Sequence, residues 1–269
     1  MTPIISVNTL CLTPAPLPQQ VALIAELGAT AISPQREQLS QFGATQARRL
    51  FQETGLSVSL VTHRAFGFTT PTEATKQRDR LMATIDMAQE VNAAAVCMTS
   101  GPRGAMDWRE AMQRFADEIS PCAEYALAAG IDLGLEPTSH LYADASMAHR
   151  LSDAVALARA AEIKVGIDLF ACWTDSDITE AIAAAGPMCA FVQLSDYVMG
   201  DRALPCRAVP GDGALPMEHL FQLIFSTGYC GPVDLEIIGP RLAAEGHKIG
   251  LRRAITYTEK IIQAISRYD

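Results

Sequence analysis

Four polar side chains stand at matching places in the second half of the chain: Glu136 in DLGLE, Asp168 in KVGIDL, Gln193 in AFVQLS and Glu236 in VDLEII. Each sits on the opposite parity from its aliphatic neighbours. Leu133 and Leu135 oppose Glu136, and Val165, Ile167 and Leu169 oppose Asp168. Val192 and Leu194 oppose Gln193, and Val233, Leu235 and Ile237 oppose Glu236. Successive side chains of a strand point to opposite faces, so the aliphatic set is expected to meet covering helices and the polar set the other side. Three carboxylates brought together would repel, each pair by roughly 4 kcal/mol at about 4 Å and an effective dielectric near 20. A divalent cation is the simplest neutraliser. Three carboxylates and an amide form an all-oxygen donor set, which suits Mn²⁺ or Mg²⁺ better than Zn²⁺. The alternative is that each polar residue is separately salt-bridged or protonated; four at one depth on neighbouring strands argue against it.

The elements that must position these residues recur eight times, a short β-rich run followed by a longer Ala/Leu-rich stretch at helical spacing. The expected strands are Ile4–Leu12, Thr30–Ser33, Val58–His63, Ala94–Thr99, Asp132–Glu136, Lys164–Leu169, Ala190–Ser195 and Val233–Ile238. The expected helices are Leu17–Leu27, Thr45–Glu53, Pro71–Glu90, Trp108–Ala129, Ala145–Ala161, Ile178–Ala185, Met217–Ser226 and Ile249–Ser266. Gly28, Gly55, Gly130 and Gly228 read as helix stops, because glycine accepts the left-handed conformation that ends a helix. Eight βα units without a linker predict one α/β domain over residues 1–269, a single (β/α)8 TIM barrel. An open doubly wound sheet would call for a Gly-rich phosphate turn after the first strand, and LTPAP is not one. In a barrel the four polar residues face the axis at the C-terminal ends of their strands, where barrel active sites lie.

Composition narrows the function classes. The chain has 269 residues, 49% hydrophobic and 19% charged, which fits a globular protein. A net charge of −9 argues against nucleic acid as a partner, since backbone binding needs a basic footprint. No apolar run approaches the roughly 20 residues of a membrane span. The opening MTPIISVNTLCL lacks a basic region and reads as a strand rather than a secretion signal. Seven cysteines, scattered and never spaced C-x-x-C, disfavour a structural zinc site and a disulfide framework. A cytoplasmic protein acting on a small-molecule substrate is expected.

The segments LGLEPTSH, VGIDLFACW, FVQLSDY, RAVPGDG and GYCGPVDLEIIG resemble the xylose isomerase-like TIM-barrel superfamily of sugar isomerases and epimerases. The likeness runs over essentially the whole chain, with its specific motifs in the second half. It implies one divalent metal on Glu136, Asp168, Gln193 and Glu236, proton exchange by the two glutamates, and contact between Arg207 and substrate oxygens. Family members are often dimers or tetramers. Two positions depart from the pattern. Many members carry His where Gln193 stands, and Gln is familiar in related dehydratases such as those acting on 3-dehydroshikimate. The frequent D-x-x-H places a His where this chain has Ala171, whose methyl group can neither donate a hydrogen bond nor carry a proton.

The chemistry implied is metal-assisted. A cation chelated by a carbonyl and its neighbouring hydroxyl acidifies the C–H between them and stabilises an enediolate, with Glu136 and Glu236 moving the proton. Return of the proton gives isomerisation or epimerisation; loss of a β-hydroxyl gives dehydration, a lyase reaction. His63, with parity opposite to Leu60 and Thr62, is a candidate for the mouth, against the reading of a structural histidine. His140, four residues past Glu136, and Arg103, after the fourth strand, are loop candidates for substrate contact, each against an ordinary solvated role. Phe66, Phe68, Trp108, Trp173 and Tyr197 fall on the loop face, where they suit a sugar ring, a glycoside or a cyclic ketone, or else pack lids and subunit contacts. Two rivals remain: a metal-free binding barrel, and a DNA-repair endonuclease, which the acidic charge and only five histidines disfavour.

Overall fold

Residues 4–265 are described by a computed structural model. Its strands are β1 (Ile5–Asn8), β2 (Ala31–Ser33), β3 (Ser57–Val58), β4 (Leu60–Ala65), β5 (Ala95–Thr99), β6 (Asp132–Leu135), β7 (Lys164–Asp168), β8 (Cys189–Leu194) and β9 (Val233–Leu235). All pair in parallel, in the order β3-β2-β1-β9-β8-β7-β6-β5-β4. The outermost members, β3 and β4, are separated only by Ser59, so they are two halves of one stave. Ser59 N–H donates to Ile32 O, and Thr62 N–H to Pro34 O, which brings the sheet round into a nearly closed eight-stave barrel. Its long covering helices include Leu17–Glu26, Pro71–Glu90, Trp108–Ala129, Met217–Ser226 and His247–Ile265.

Two apolar groups follow from the alternation of side chains. Val61, Val96, Met98, Leu133, Leu135, Val165, Ile167, Val192 and Leu194 join the large core between sheet and helices. Leu60, Ala95, Cys97 and Phe191 form a separate small cluster inside the barrel. Phe191 fills the interior because its neighbours have no side chains: a Cβ on Gly134 or Gly166 would come within 2.3 or 2.1 Å of its ring. Burying such a ring contributes about 1.5–3 kcal/mol. Beside it lies a polar set, in which Asp234 accepts from Ser33 Oγ (2.6 Å) and Asn8 Nδ2 (3.0 Å), and the Ser6 and Ser59 hydroxyls meet at 2.6 Å.

The expected elements are present with shifted ends. The first strand stops at Asn8 rather than Leu12, because Asn8 Oδ1 accepts from Leu10 N–H and starts a 3₁₀ turn over Thr9–Leu12. Short helices at Arg36–Phe42 and Pro240–Glu245 were not expected. The fifth expected helix begins at Leu151 rather than Ala145, after a 3₁₀ turn at His140–Tyr142. Ser266, the expected end of the last helix, lies outside the described residues. The four helix-stop glycines all take positive φ; Gly55 and Gly130, at +72° and +71°, cap their helices through backbone N–H groups.

Candidate active site

The mouth of the barrel at the C-terminal ends of β6, β7 and β9 holds a chamber of about 120 Å³, lined by Glu136, Asp168, Arg207 and Glu236 among others. Asp168 closes β7, and its Oδ1 caps the turn Leu169–Cys172 by accepting from Phe170 N–H at 3.1 Å. Glu136 follows β6, its backbone N–H bonded to Met98 O of β5; Glu236 follows β9, its N–H bonded to Leu194 O of β8. Asp168 and Glu236 are buried, and Gln193 on β8 is fully enclosed.

Arg207 binds the carboxylates together. Its Nη1 and Nη2 donate to Asp168 Oδ1 and Oδ2 at 3.0 and 2.6 Å, and Nη2 lies 3.1 Å from Glu236 Oε2. Nη1 also reaches Ser195 Oγ at 3.2 Å, and the guanidinium stacks 4.6 Å above the Phe170 ring. The turn carrying Arg207 is held by Asp196, a residue the sequence analysis did not single out. Asp196 exchanges backbone hydrogen bonds with Ala208, while its carboxylate accepts from the N–H groups of Tyr197, Gly211, Gly213 and Leu215 at 2.8–3.1 Å. A Cβ on Gly213 would sit 2.3 Å from Asp196 Oδ1, which explains that glycine of the PGDG turn.

Electrostatics follow from burial. Desolvation, then repulsion from Glu236 and Asp168, pushes the Glu136 carboxyl well above the usual carboxylate range. Desolvation raises Glu236 to about 7, with Arg207 opposing and Asp168 and Asp234 reinforcing the shift. Burial alone would lower Arg207, but Asp168 and Glu236 reverse this and hold its proton more tightly than usual. Beneath the carboxylates, Cys97 Sγ donates to Glu136 Oε2 at 3.1 Å, and Gln193 Nε2 approaches Cys97 Sγ at 3.9 Å. Cys97 was not expected here: a small residue on an otherwise apolar strand carries no sequence signal for contact with a carboxylate.

Two buried acceptors at this spot lack a hydrogen-bond partner: Gln193 Oε1, and Glu236 Oε2, which has Arg207 at ion-pair distance but not in hydrogen-bond geometry. Unsatisfied buried oxygens are costly, and a hard cation would satisfy both. Among the described residues, however, no three His, Cys, Asp or Glu side chains are gathered in a metal-holding arrangement. The guanidinium lying against Asp168 and Glu236 supplies the positive charge there.

The other expected contacts divide. His63 is not at the mouth. Leu60 and Thr62 take the interior parity, since Leu60 packs on Phe191, so His63 faces outward with Nδ1 2.8 Å from Thr84 Oγ1 under the helix Pro71–Glu90. Burial, followed by Arg80 and Arg36, lowers its pKa to about 3. Treating Leu60 as a helix-facing residue put the parity of this strand the wrong way round. Arg103 is exposed on the loop after β5 and does not line the chamber. His140 and Trp173 line an adjoining groove, with Tyr197. Phe66 and Phe68 are buried edge-on against Phe115 and line neither the chamber nor the groove, and Trp108 packs partly buried on the core.

A sequence profile described as the xylose isomerase-like TIM barrel matches residues 21–257. The chain belongs to this family. Its sequence is 27% identical over 168 residues to fructoselysine 3-epimerase of Shigella flexneri, a stretch covering 60% of this chain and 58% of that protein. The match thus spans little more than half the length of that relative. Among solved structures, a protein from Sinorhizobium meliloti 1021 superposes with a TM-score of 0.86 at 23% identity, covering 96% of this chain and 98% of that one. The IolI protein with a bound zinc atom superposes at 0.85 and 14% identity, covering 98% and 99%. These two likenesses establish the fold. No helix among the described residues is long and apolar enough to cross a membrane.

Proposed function

We propose that this xylose isomerase-like barrel is a divalent-metal-dependent isomerase or epimerase of a sugar or related polyhydroxy ketone. The observation that carries the reading is that Glu136, Asp168 and Glu236 line one chamber at which two buried acceptor oxygens are left without hydrogen-bond partners. Glu136, Asp168, Gln193 and Glu236 would hold the cation; Mn²⁺ and Mg²⁺ suit their oxygens, while the zinc in the IolI structure belongs to that protein. When bound, the cation would polarise a substrate carbonyl and acidify the adjacent C–H. Glu136 and Glu236 reach the chamber from staves on either side of β7 and β8, so they would face one substrate carbon from different directions. One accepts its proton and the other returns one, a division suited to two carboxyls whose affinity for protons is already raised. Arg207, released from Asp168, would donate to substrate oxygens. The kinship with fructoselysine 3-epimerase supports an isomerase over a binding protein.

Gln193 favours one second reading, a dehydratase of a cyclic hydroxy-ketone, in which a β-hydroxyl leaves after the same proton abstraction. Both readings share a test. The protein loaded with Mn²⁺ is incubated in D₂O with ketoses, inososes and dehydroshikimate-like acids, and deuterium at carbon is read by NMR. Uptake is expected for one class. Glu136→Gln and Glu236→Gln should abolish it while thermal unfolding stays cooperative; near-normal uptake in both variants would refute the roles given to these glutamates.

A further inference from the structure

The chamber over the carboxylates is small. At about 120 Å³ it is well under the roughly 300 Å³ at which small-molecule pockets begin. It does not end there. Ser139, Leu141, Phe170, Ala171 and Cys206 line both the chamber and a neighbouring groove of about 450 Å³. Ala171, the position where the family pattern D-x-x-H would put an imidazole, stands on this shared border with only a methyl group, and the border would be the passage between the two.

The groove beyond carries the rings of Phe170, Trp173 and Tyr197 among polar side chains that include His140, Asp201 and Arg202. Trp173 and Tyr197 lie 6.5 Å apart at 41°, and Phe170 meets Tyr197 edge-on at 6.1 Å. At the rim, Leu141 and Leu204 remain 61% and 56% exposed, two large apolar side chains beside one opening. Aromatic walls and uncovered leucines favour a flat, apolar ligand group, and burying it there would remove apolar surface from water on both partners.

We infer that the substrate is bipartite: a ketose or keto-sugar whose reacting carbons sit over Glu136 and Glu236, joined to a bulky apolar or aromatic substituent that passes Ala171 and lies against Trp173 and Tyr197. This rests on the isomerase reading of the chamber for the sugar half only. Ala171 and Trp173 are then specificity-determining residues.

The test compares D-fructose with 1-deoxy-1-benzylamino-D-fructose, the same ketose carrying an aromatic tail, on the Mn²⁺-loaded full chain. Dissociation constants come from calorimetry, and deuterium uptake from D₂O is followed on the same samples. The benzyl ketose should bind at least tenfold more tightly than fructose. Ala171→Phe, which fills the passage, and Trp173→Ala, which removes the wall, should each bring the ratio of the two constants below about three, with thermal unfolding confirming that both variants fold. Equal constants in the unaltered protein, no binding of the benzyl ketose, or a ratio untouched by both substitutions would overturn the inference. Deuterium uptake on both sugars with no difference in affinity sinks the bipartite substrate alone. A tenfold preference erased by Ala171→Phe, with no uptake on either sugar, upholds the groove and sinks the isomerase reading.

Discussion

Arg207→Ala tests what holds the buried carboxylates together. In the structure Arg207 makes two hydrogen bonds to Asp168 and an ion pair with Glu236, all at 2.6–3.1 Å and nearly out of contact with water. Removing one member of a buried pair leaves its partners uncompensated, typically at a cost of 3–5 kcal/mol. Protonation of Glu236, already raised to about 7, absorbs part of this, so the lower figure of about 3 kcal/mol applies. For a chain of this size about 1 kcal/mol corresponds to 2–4 °C, so the melting temperature in EDTA should fall by about 6–12 °C. A divalent cation brings positive charge to the same oxygens. Mn²⁺ at about one hundred times its dissociation constant adds roughly 2.7 kcal/mol and should recover most of the loss. Differential scanning fluorimetry of the unaltered chain, Arg207→Ala and Arg207→Lys, each with EDTA and with Mn²⁺, reads both effects; lysine keeps a point charge but not the fork and should fall between. A drop under 2 °C in EDTA, or an equal drop with and without metal, would refute the reasoning.

Further perturbations probe the surroundings. Cys97→Ala removes the S–H donor to Glu136 and should weaken Mn²⁺ binding about tenfold by calorimetry, with Cys97→Ser recovering part; unchanged affinity in the alanine variant would show that the thiol orients nothing. Gly166→Ala drives a methyl group to within 2.1 Å of the Phe191 ring and should cost about 1–3 kcal/mol in urea unfolding; a stability equal to the parent would mean that the ring moves freely. His63 stays neutral in the folded chain down to about pH 3, whereas the unfolded chain takes up its proton near 6.5. Stability should therefore decline by roughly 1.4 kcal/mol per unit as pH falls between about 6 and 3, and His63→Gln should flatten that slope. Identical acid limbs for the two proteins would remove His63 from the account.

The barrel was legible because its period is written twice, in the helix-and-strand alternation and in the parity of Leu, Ile and Val around Glu136, Asp168, Gln193 and Glu236. Those four sit on strands whose outer faces are strongly aliphatic, so the direction of each side chain follows from its neighbours. The same rule failed at His63, since Leu60 is an aliphatic residue that fills the barrel interior against Phe191. Which partner Arg207 would choose was not legible either. The turn that carries it is folded by Asp196 through backbone N–H groups on both sides of it in the chain, and a carboxylate that binds four peptide groups leaves no pattern in residue type. Cys97 escaped for a similar reason: its role depends on lying one layer beneath Glu136 across a strand pair, a relation of register.

Phe191, seated where Gly134 and Gly166 yield space, stoppers the barrel from below. The carboxylates are therefore reached from the loop side alone. A cation held by these oxygens, as proposed above, would have to arrive ahead of the organic molecule and would leave only after it. Chelator added to a saturated sample should strip the ion only as fast as the organic ligand leaves.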